Sequence, residues 1–136
     1  MNERPIILID DDPEDLELLR EVVNEMNIDN TVISFTDPVK ALEFFRAGSV
    51  DAFFILCDLN MPKITGLNLR REMIGQPFYN KDTPFYLLST GNVLKERETA
   101  SGLNVTDYIV KPTSFAGIRQ TLESIIVNNS MGTSES

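Results

Sequence analysis

Five short apolar runs punctuate the chain, and each stops at a polar break. Ile6-Ile7-Leu8-Ile9 comes first and ends in three aspartates and Pro13. A continuous run rich in branched residues, with no polar alternation, is the pattern of a strand covered on both faces. Thr31-Val32-Ile33-Ser34-Phe35, Phe53-Phe54-Ile55-Leu56-Cys57-Asp58, Phe85-Tyr86-Leu87-Leu88 and Asp107-Tyr108-Ile109-Val110 repeat it.

Between these runs the apolar period is helical. Asp12 is placed as an N-cap before Pro13, with Glu14 and Asp15 in the first turn, and Leu16, Leu19, Val23 and Met26 form an inner face. Asp37-Pro38 opens a second helix with Ala41, Leu42, Phe44 and Phe45 inward, stopped by Gly48. A third is expected over 65–74, with Leu67, Leu69 and Met73 inward, and 76–83 reads as loop. Residues 93–102 are the least apolar helical stretch, predicted to be short and weakly held. Ser114 caps a last helix whose face is Phe115, Ile118, Leu122, Ile125 and Ile126. Strand and helix alternating five times predict an α/β fold: an open parallel sheet with helices on both faces. Sites in such folds form at the carboxyl ends of the strands.

The chain's 136 residues fit one domain, expected over 1–128, with 129–136 as a flexible polar tail. A formal charge of -9 argues against direct nucleic-acid binding. The apolar runs are too short to span a membrane, and the lone Cys57 has no disulfide partner in the chain, so a cytoplasmic location is expected. Cys57 must point to the opposite side of its strand from Asp58 and reads as a buried packing residue. The absence of histidine removes imidazole zinc sites, Ser-His-Asp triads and a phosphohistidine on this chain.

The chemistry collects at one edge. Asp10, Asp11 and Asp12 follow the first strand, Asp58 the third, Ser89 and Thr90 the fourth, and Lys111 the fifth. Crowded carboxylates repel, and a hard cation with oxygen ligands such as Mg²⁺ relieves that repulsion. A lysine and a hydroxyl beside them suit the oxygens of a phosphoryl group, which makes Asp58 a candidate carboxylate nucleophile.

From Ile6 to Val127 the chain resembles the receiver domains of two-component response regulators, of the stand-alone, CheY-like kind. The matching residues are Asp10 and Asp11, the loop Asp58-x-x-Met61-Pro62-x-x-x-Gly66, Ser89, Tyr108 and Lys111-Pro112. The resemblance implies a flavodoxin-like, doubly wound sheet of order 2-1-3-4-5 with five helices. It further implies that Asp58 accepts phosphate from a sensor histidine kinase or histidine phosphotransfer protein, assisted by Lys111 and Ser89. Mg²⁺ would be held by Asp11, Asp58 and the Asn60 carbonyl, with Asp10 acting through water, and the Lys111–Pro112 bond would be cis. Ser89 and Tyr108 would form the switch, the tyrosine entering from the surface. The altered face of the fourth helix, fifth strand and fifth helix would then meet a downstream protein or form a phosphorylation-dependent homodimer. Such a domain stores a phosphate and is not a conventional turnover enzyme. With no effector segment after the last helix, output is expected through a separate protein.

Thr90 stands where a small apolar residue is frequent in the family, and is expected to modulate phosphate exchange and hydrolysis. Three rivals share parts of the pattern. A flavodoxin would carry its hydroxyl-rich loop after the first strand, where three aspartates stand here. A haloacid-dehalogenase-type phosphatase would need a threonine at Glu14 and an acidic pair after the lysine. A degenerate receiver would lack a site residue, and none is missing.

Overall fold

Each apolar run forms a strand, and each strand is followed by a helix. The computed structural model describes residues 4–48, 51–99 and 102–134. In chain order the elements are β1 (Ile6–Ile9), α1 (Pro13–Glu25), β2 (Val32–Phe35), α2 (Pro38–Arg46), β3 (Phe54–Asp58), α3 (Gly66–Ile74), β4 (Phe85–Ser89), α4 (Val93–Thr99), β5 (Asp107–Val110) and α5 (Phe115–Ser134). The five strands make one sheet of order β2-β1-β3-β4-β5, parallel at each pairing. The order reverses between β1 and β3, so the loops after these strands diverge and leave a crevice at their carboxyl ends.

Strand alternation divides the core in two. Ile7, Ile9, Ile55, Cys57, Phe85 and Leu87 face Ala41, Leu42 and Phe45 of α2 and Leu69 and Met73 of α3. Ile6, Leu8, Phe54, Leu56, Tyr86 and Leu88 face Leu16, Leu19, Val22 and Val23 of α1 and Ile118, Leu122 and Ile125 of α5. Cys57 is fully buried on the face opposite α1 and α5, as its position beside Asp58 requires. Helix starts are fixed by side chains: Asp12 accepts from the N–H groups of Glu14 and Asp15, Asp37 from Val39, and Thr65 from Asn68.

Gly66 opens α3 at a point where no side chain fits. A Cβ there would stand 2.6 Å from Leu87 Cδ2 and 2.7 Å from the Asp58 carbonyl oxygen, while the Gly66 N–H donates to the Leu59 carbonyl at 2.9 Å. The loop after Asp58 is therefore folded back against its own strand by the missing side chain.

Two expectations differ from the structure. All described peptide bonds are trans, including Lys111–Pro112; the trans form is the lower-energy one for X–Pro, and Lys111 reaches the site with it. Helix α4 is described over Val93–Thr99, residues 100 and 101 of the predicted stretch lie outside the described residues, and Gly102 adopts φ +89. Helix α5 continues through residues 129–134, where a tail was expected. Asn129 explains part of that extension, because its amide donates to the Ile125 carbonyl at 2.7 Å and to the Tyr86 hydroxyl at 3.0 Å.

The largest departure from a sequence-level core is Arg70, on α3 and only 1 % exposed. Its Nε donates to the Leu103 carbonyl at 3.0 Å and a terminal nitrogen to the Asn104 carbonyl at 2.9 Å. The guanidinium lies 4.4 Å from the Phe85 ring centroid and 5.1 Å from that of Tyr79. Burial lowers its pKa from the ordinary arginine value. Asn104, at φ +52, is also tied to the Tyr79 hydroxyl and the Lys81 carbonyl. Arg70 thus bolts the segment between α4 and β5 to α3. Arg70→Met is expected to cost about 2 kcal/mol or more in denaturant unfolding, because two part-buried carbonyls lose a charged donor. Arg70→Lys should recover little, since an ammonium does not reproduce the fork. Wild-type stability in Arg70→Met would contradict the bolt.

Candidate phosphoacceptor site

The site grows from the ends of β1, β3, β4 and β5. Asp10 follows the last residue of β1, and Asp58 is the last residue of β3; they are 1 % and 5 % exposed. Each is held by backbone: Asp10 Oδ1 accepts the Asp12 N–H at 3.0 Å, and Asp58 Oδ1 accepts the Asn60 N–H at 3.1 Å. Asp11 is half-buried beside them, and ligand oxygens of Asp10, Asp11 and Asp58 all lie within 4.8 Å of one another.

Lys111 reaches into this cluster from the end of β5. Its backbone N–H is anchored on the Ser89 carbonyl at 2.8 Å, which fixes where the side chain starts. Its Nζ stands 3.0 Å from Asp10 Oδ2, 3.2 Å from Asp58 Oδ2 and 2.9 Å from Asp15 Oδ2. Burial disfavours the ammonium, but hydrogen bonds to Asp15 and Asp10 and the charges of Asp10 and Asp58 outweigh it and hold its pKa above the ordinary lysine value. Burial also pushes the Asp10 carboxyl up to about 6, against the opposing pull of the Asp12 N–H and Lys111.

Ser89 is fully buried, and its hydroxyl accepts the Gly91 N–H at 2.9 Å. Thr90 is exposed at the crevice edge, where its hydroxyl accepts the Asn60 side-chain amide at 3.1 Å. This bond joins the loop after β3 to the loop after β4 across the mouth of the site. Glu96 of α4 leans over the same turn, since a Cβ on Gly91 would meet its carboxylate at 2.9 Å. Tyr108 lies in the apolar cluster on the α2 and α3 side at 8 % exposure, and burial raises its hydroxyl pKa. A tyrosine waiting at the surface, expected from the sequence, is therefore not what the structure holds. Ser89 and Tyr108 do share a sheet face, because Tyr108 pairs with Leu87 in register.

Every predicted site residue stands at this edge except Tyr108, which is set two residues back from the end of β5. The sequence reading missed Asp15, assigned only to the helix dipole. Its signal is a capping argument. An acid at N3 ordinarily reaches back to the N-cap N–H, but Asp10 already takes the Asp12 N–H, so Asp15 is released toward Lys111.

Buried carboxylate oxygens in this arrangement fit a hard divalent cation, which prefers oxygen donors and completes its shell with water. The cation and Lys111 would share the same acids.

A family model, the response regulator receiver domain, matches residues 6–123. The chain is 32 % identical over 121 residues to the cyclic di-GMP phosphodiesterase response regulator RpfG of Xanthomonas campestris, covering 89 % of this chain and 31 % of that protein. It is 24 % identical to the chemotaxis protein CheY1 of Helicobacter pylori, covering 91 % and 98 %. The chain thus spans under a third of RpfG and nearly all of CheY1. Among solved structures it is similar to the phosphorylated cyanobacterial phytochrome response regulator RcpA, with TM-score 0.78, 26 % identity and 91 % of both chains covered. The Mn²⁺-bound response regulator Rcp1 follows at TM-score 0.75 and 25 % identity, covering 90 % of this chain and 91 % of that one. The sheet order, the acidic edge and these likenesses agree: the chain belongs to the response regulator receiver domain family.

Proposed function

We propose that this chain accepts a phosphoryl group on Asp58 from a sensor histidine kinase or a histidine phosphotransfer protein and passes the signal through its surface. The observation that carries the reading is a buried Asp58 carboxylate with Lys111 Nζ at 3.2 Å and two further acids alongside. Phosphorylated RcpA and Mn²⁺-bound Rcp1 support it by likeness.

Asp58 Oδ2 attacks phosphorus in line, an O–P bond forms, and the P–N bond to the donor imidazole breaks. The imidazole nitrogen leaves with the electron pair. Lys111 supplies positive charge to the phosphoryl oxygens, and Ser89 a hydroxyl donor once it turns from Gly91. A bound Mg²⁺, held by Asp11, Asp58 and the Asn60 carbonyl with Asp10 acting through water, would neutralise developing charge on those oxygens. Thr90 and Asn60 frame the entrance and set access for donors and hydrolytic water.

The added charge acts on the turn that carries Ser89, Thr90 and Gly91, against which Glu96 of α4 rests. Helix α4 is also pinned to β5 by Arg97 and Asp107 at 2.6 Å. The face of α4, β5 and α5, where Leu94 and Val110 are exposed, is the surface that meets a downstream protein or a second phosphorylated copy. Among the described residues no helix is long and apolar enough to cross a membrane, and the reading places the chain in the cytoplasm without nucleic-acid contact. It is a phosphoacceptor with no conventional turnover.

Incubation with a small phosphodonor and Mg²⁺, followed by intact mass measurement, is expected to show one added phosphate that is absent in Asp58→Asn. Labelling of Asp58→Asn at the wild-type level would contradict the assignment, and steady release of phosphate from unrelated phosphomonoesters would favour a phosphatase.

Metal binding carries a defined pH dependence. Asp10 ionises at about 6 when folded against 3.8 ordinarily. Its contribution to stability is complete below 3.8 and is lost as pH rises through 6. A cation near Asp10 favours the ionised form and offsets that loss. The rise in melting temperature on saturation with Mg²⁺ should therefore be small near pH 5 and larger near about pH 7.5. A rise independent of pH in scanning calorimetry would exclude this linkage.

A further inference from the structure

Asp15 is an acid that the phosphoacceptor chemistry does not call for, yet of the three acids it stands nearest the Lys111 ammonium, as an ion pair at 2.9 Å. A lysine ammonium has three N–H donors and no more. Asp10 and Asp58 accept two of them here, and the Asp15 carboxylate lies against the ammonium as an ion pair on the remaining side. With three carboxylates crowded around the ammonium, an incoming phosphoryl oxygen draws close to Lys111 by displacing one of them.

The three partners are not equally free to do so. The Asp10 and Asp58 side chains are 1 % and 6 % exposed, each with its other oxygen held by a backbone N–H, whereas the Asp15 side chain is 43 % exposed. Turning Asp15 into water costs little solvation, and a cavity of about 370 Å³ lined by Asp15, Leu19, Leu88, Thr90, Lys111 and Ile118 leaves room beside it. Freeing either of the other two would strip a buried charge of its counter-ion.

We propose that Asp15 is an internal placeholder for the phosphoryl group: its carboxylate stands against the Lys111 ammonium at rest and is displaced by a phosphoryl oxygen. It is a positioning residue, acting through Lys111, and the inference rests on the phosphoacceptor reading above. Two consequences follow from its charge. Asp15 competes with the donor for Lys111, and it repels donors in proportion to their negative charge. A phosphohistidine presented by a docked protein would overcome that barrier through binding energy from the rest of the interface, while a free small anion lacks it. Asp15 therefore disfavours adventitious phosphorylation by small metabolic acyl phosphates.

The test compares wild-type protein with Asp15→Asn and Asp15→Glu, all with Mg²⁺. The first readout is the rate of phosphorylation by acetyl phosphate, in which the Asp58 O–P bond forms as the acyl O–P bond breaks and acetate leaves with the electron pair. The second is the same rate with the less negative donor phosphoramidate, and the third is the affinity for beryllofluoride, which mimics the phosphoryl group without transfer. Asp15→Asn should phosphorylate about threefold to tenfold faster with acetyl phosphate, the scale expected for removing one water-screened charge a few ångströms away. It should gain less with phosphoramidate and bind beryllofluoride more tightly, while Asp15→Glu stays near wild type. Unchanged or slower reaction of Asp15→Asn, in a protein whose wild type is labelled on Asp58, overturns the placeholder alone, as does an equal gain with both donors. A wild type that takes neither phosphate nor beryllofluoride overturns the phosphoacceptor reading itself.

Discussion

One ammonium among three carboxylates, two of them almost out of water, is the interaction on which the site depends. Asp10 and Asp58 sit about where a parallel sheet opens at its switch point, a place that makes them rigid and reachable but also deprives them of solvent. Burial of a carboxylate is costly unless a counter-charge is held close. Lys111 supplies that charge from β5, anchored by its own N–H on Ser89, so the geometry of the acids and the geometry of the fourth and fifth strands are set together. A divalent cation and a phosphoryl group are the two other species that would alter this balance. The cluster is thus poised to respond to both.

That coupling gives a physical route outward. The turn after β4 holds Ser89 against Gly91, carries Thr90 to Asn60, and supports Glu96 of α4. The described part of helix α4 carries Leu94 in solvent, whereas the segment ahead of β5 is bolted to α3 through Arg70. A short helix between a responsive turn and a fixed anchor is an element that a modest free energy can move. Tyr108 is packed inward in this arrangement.

The sheet and its two cores were legible because doubly covered strands must be written as unbroken apolar runs, and the parity of Cys57 and Asp58 follows from the pleat. The convergence of Asp10, Asp11, Asp58, Ser89 and Lys111 was legible once the strands were parallel. Arg70 was not, because a cationic helix residue reads as solvent-facing and its partners are backbone carbonyls 33 and 34 residues away, which carry no residue-type signal. Asp15 was hidden for a related reason: its role depends on Asp10 having already satisfied the Asp12 N–H. The length of α5 was misread because Asn129 looks like tail composition until Tyr86 is placed beside it.

Lys111 is the counter-charge that favours the ionised form of buried Asp10. The most direct test of that role is denaturant unfolding of Lys111→Met beside the parent protein, in chelator, from about pH 5 to about pH 8. Removal of the ammonium is predicted to cost about 3 kcal/mol at the upper end, where an uncompensated buried carboxylate remains. Most of that loss should be recovered toward the lower end, where Asp10, already raised to about 6, takes a proton. A loss of the same size at every pH, or no loss at all, would contradict the account.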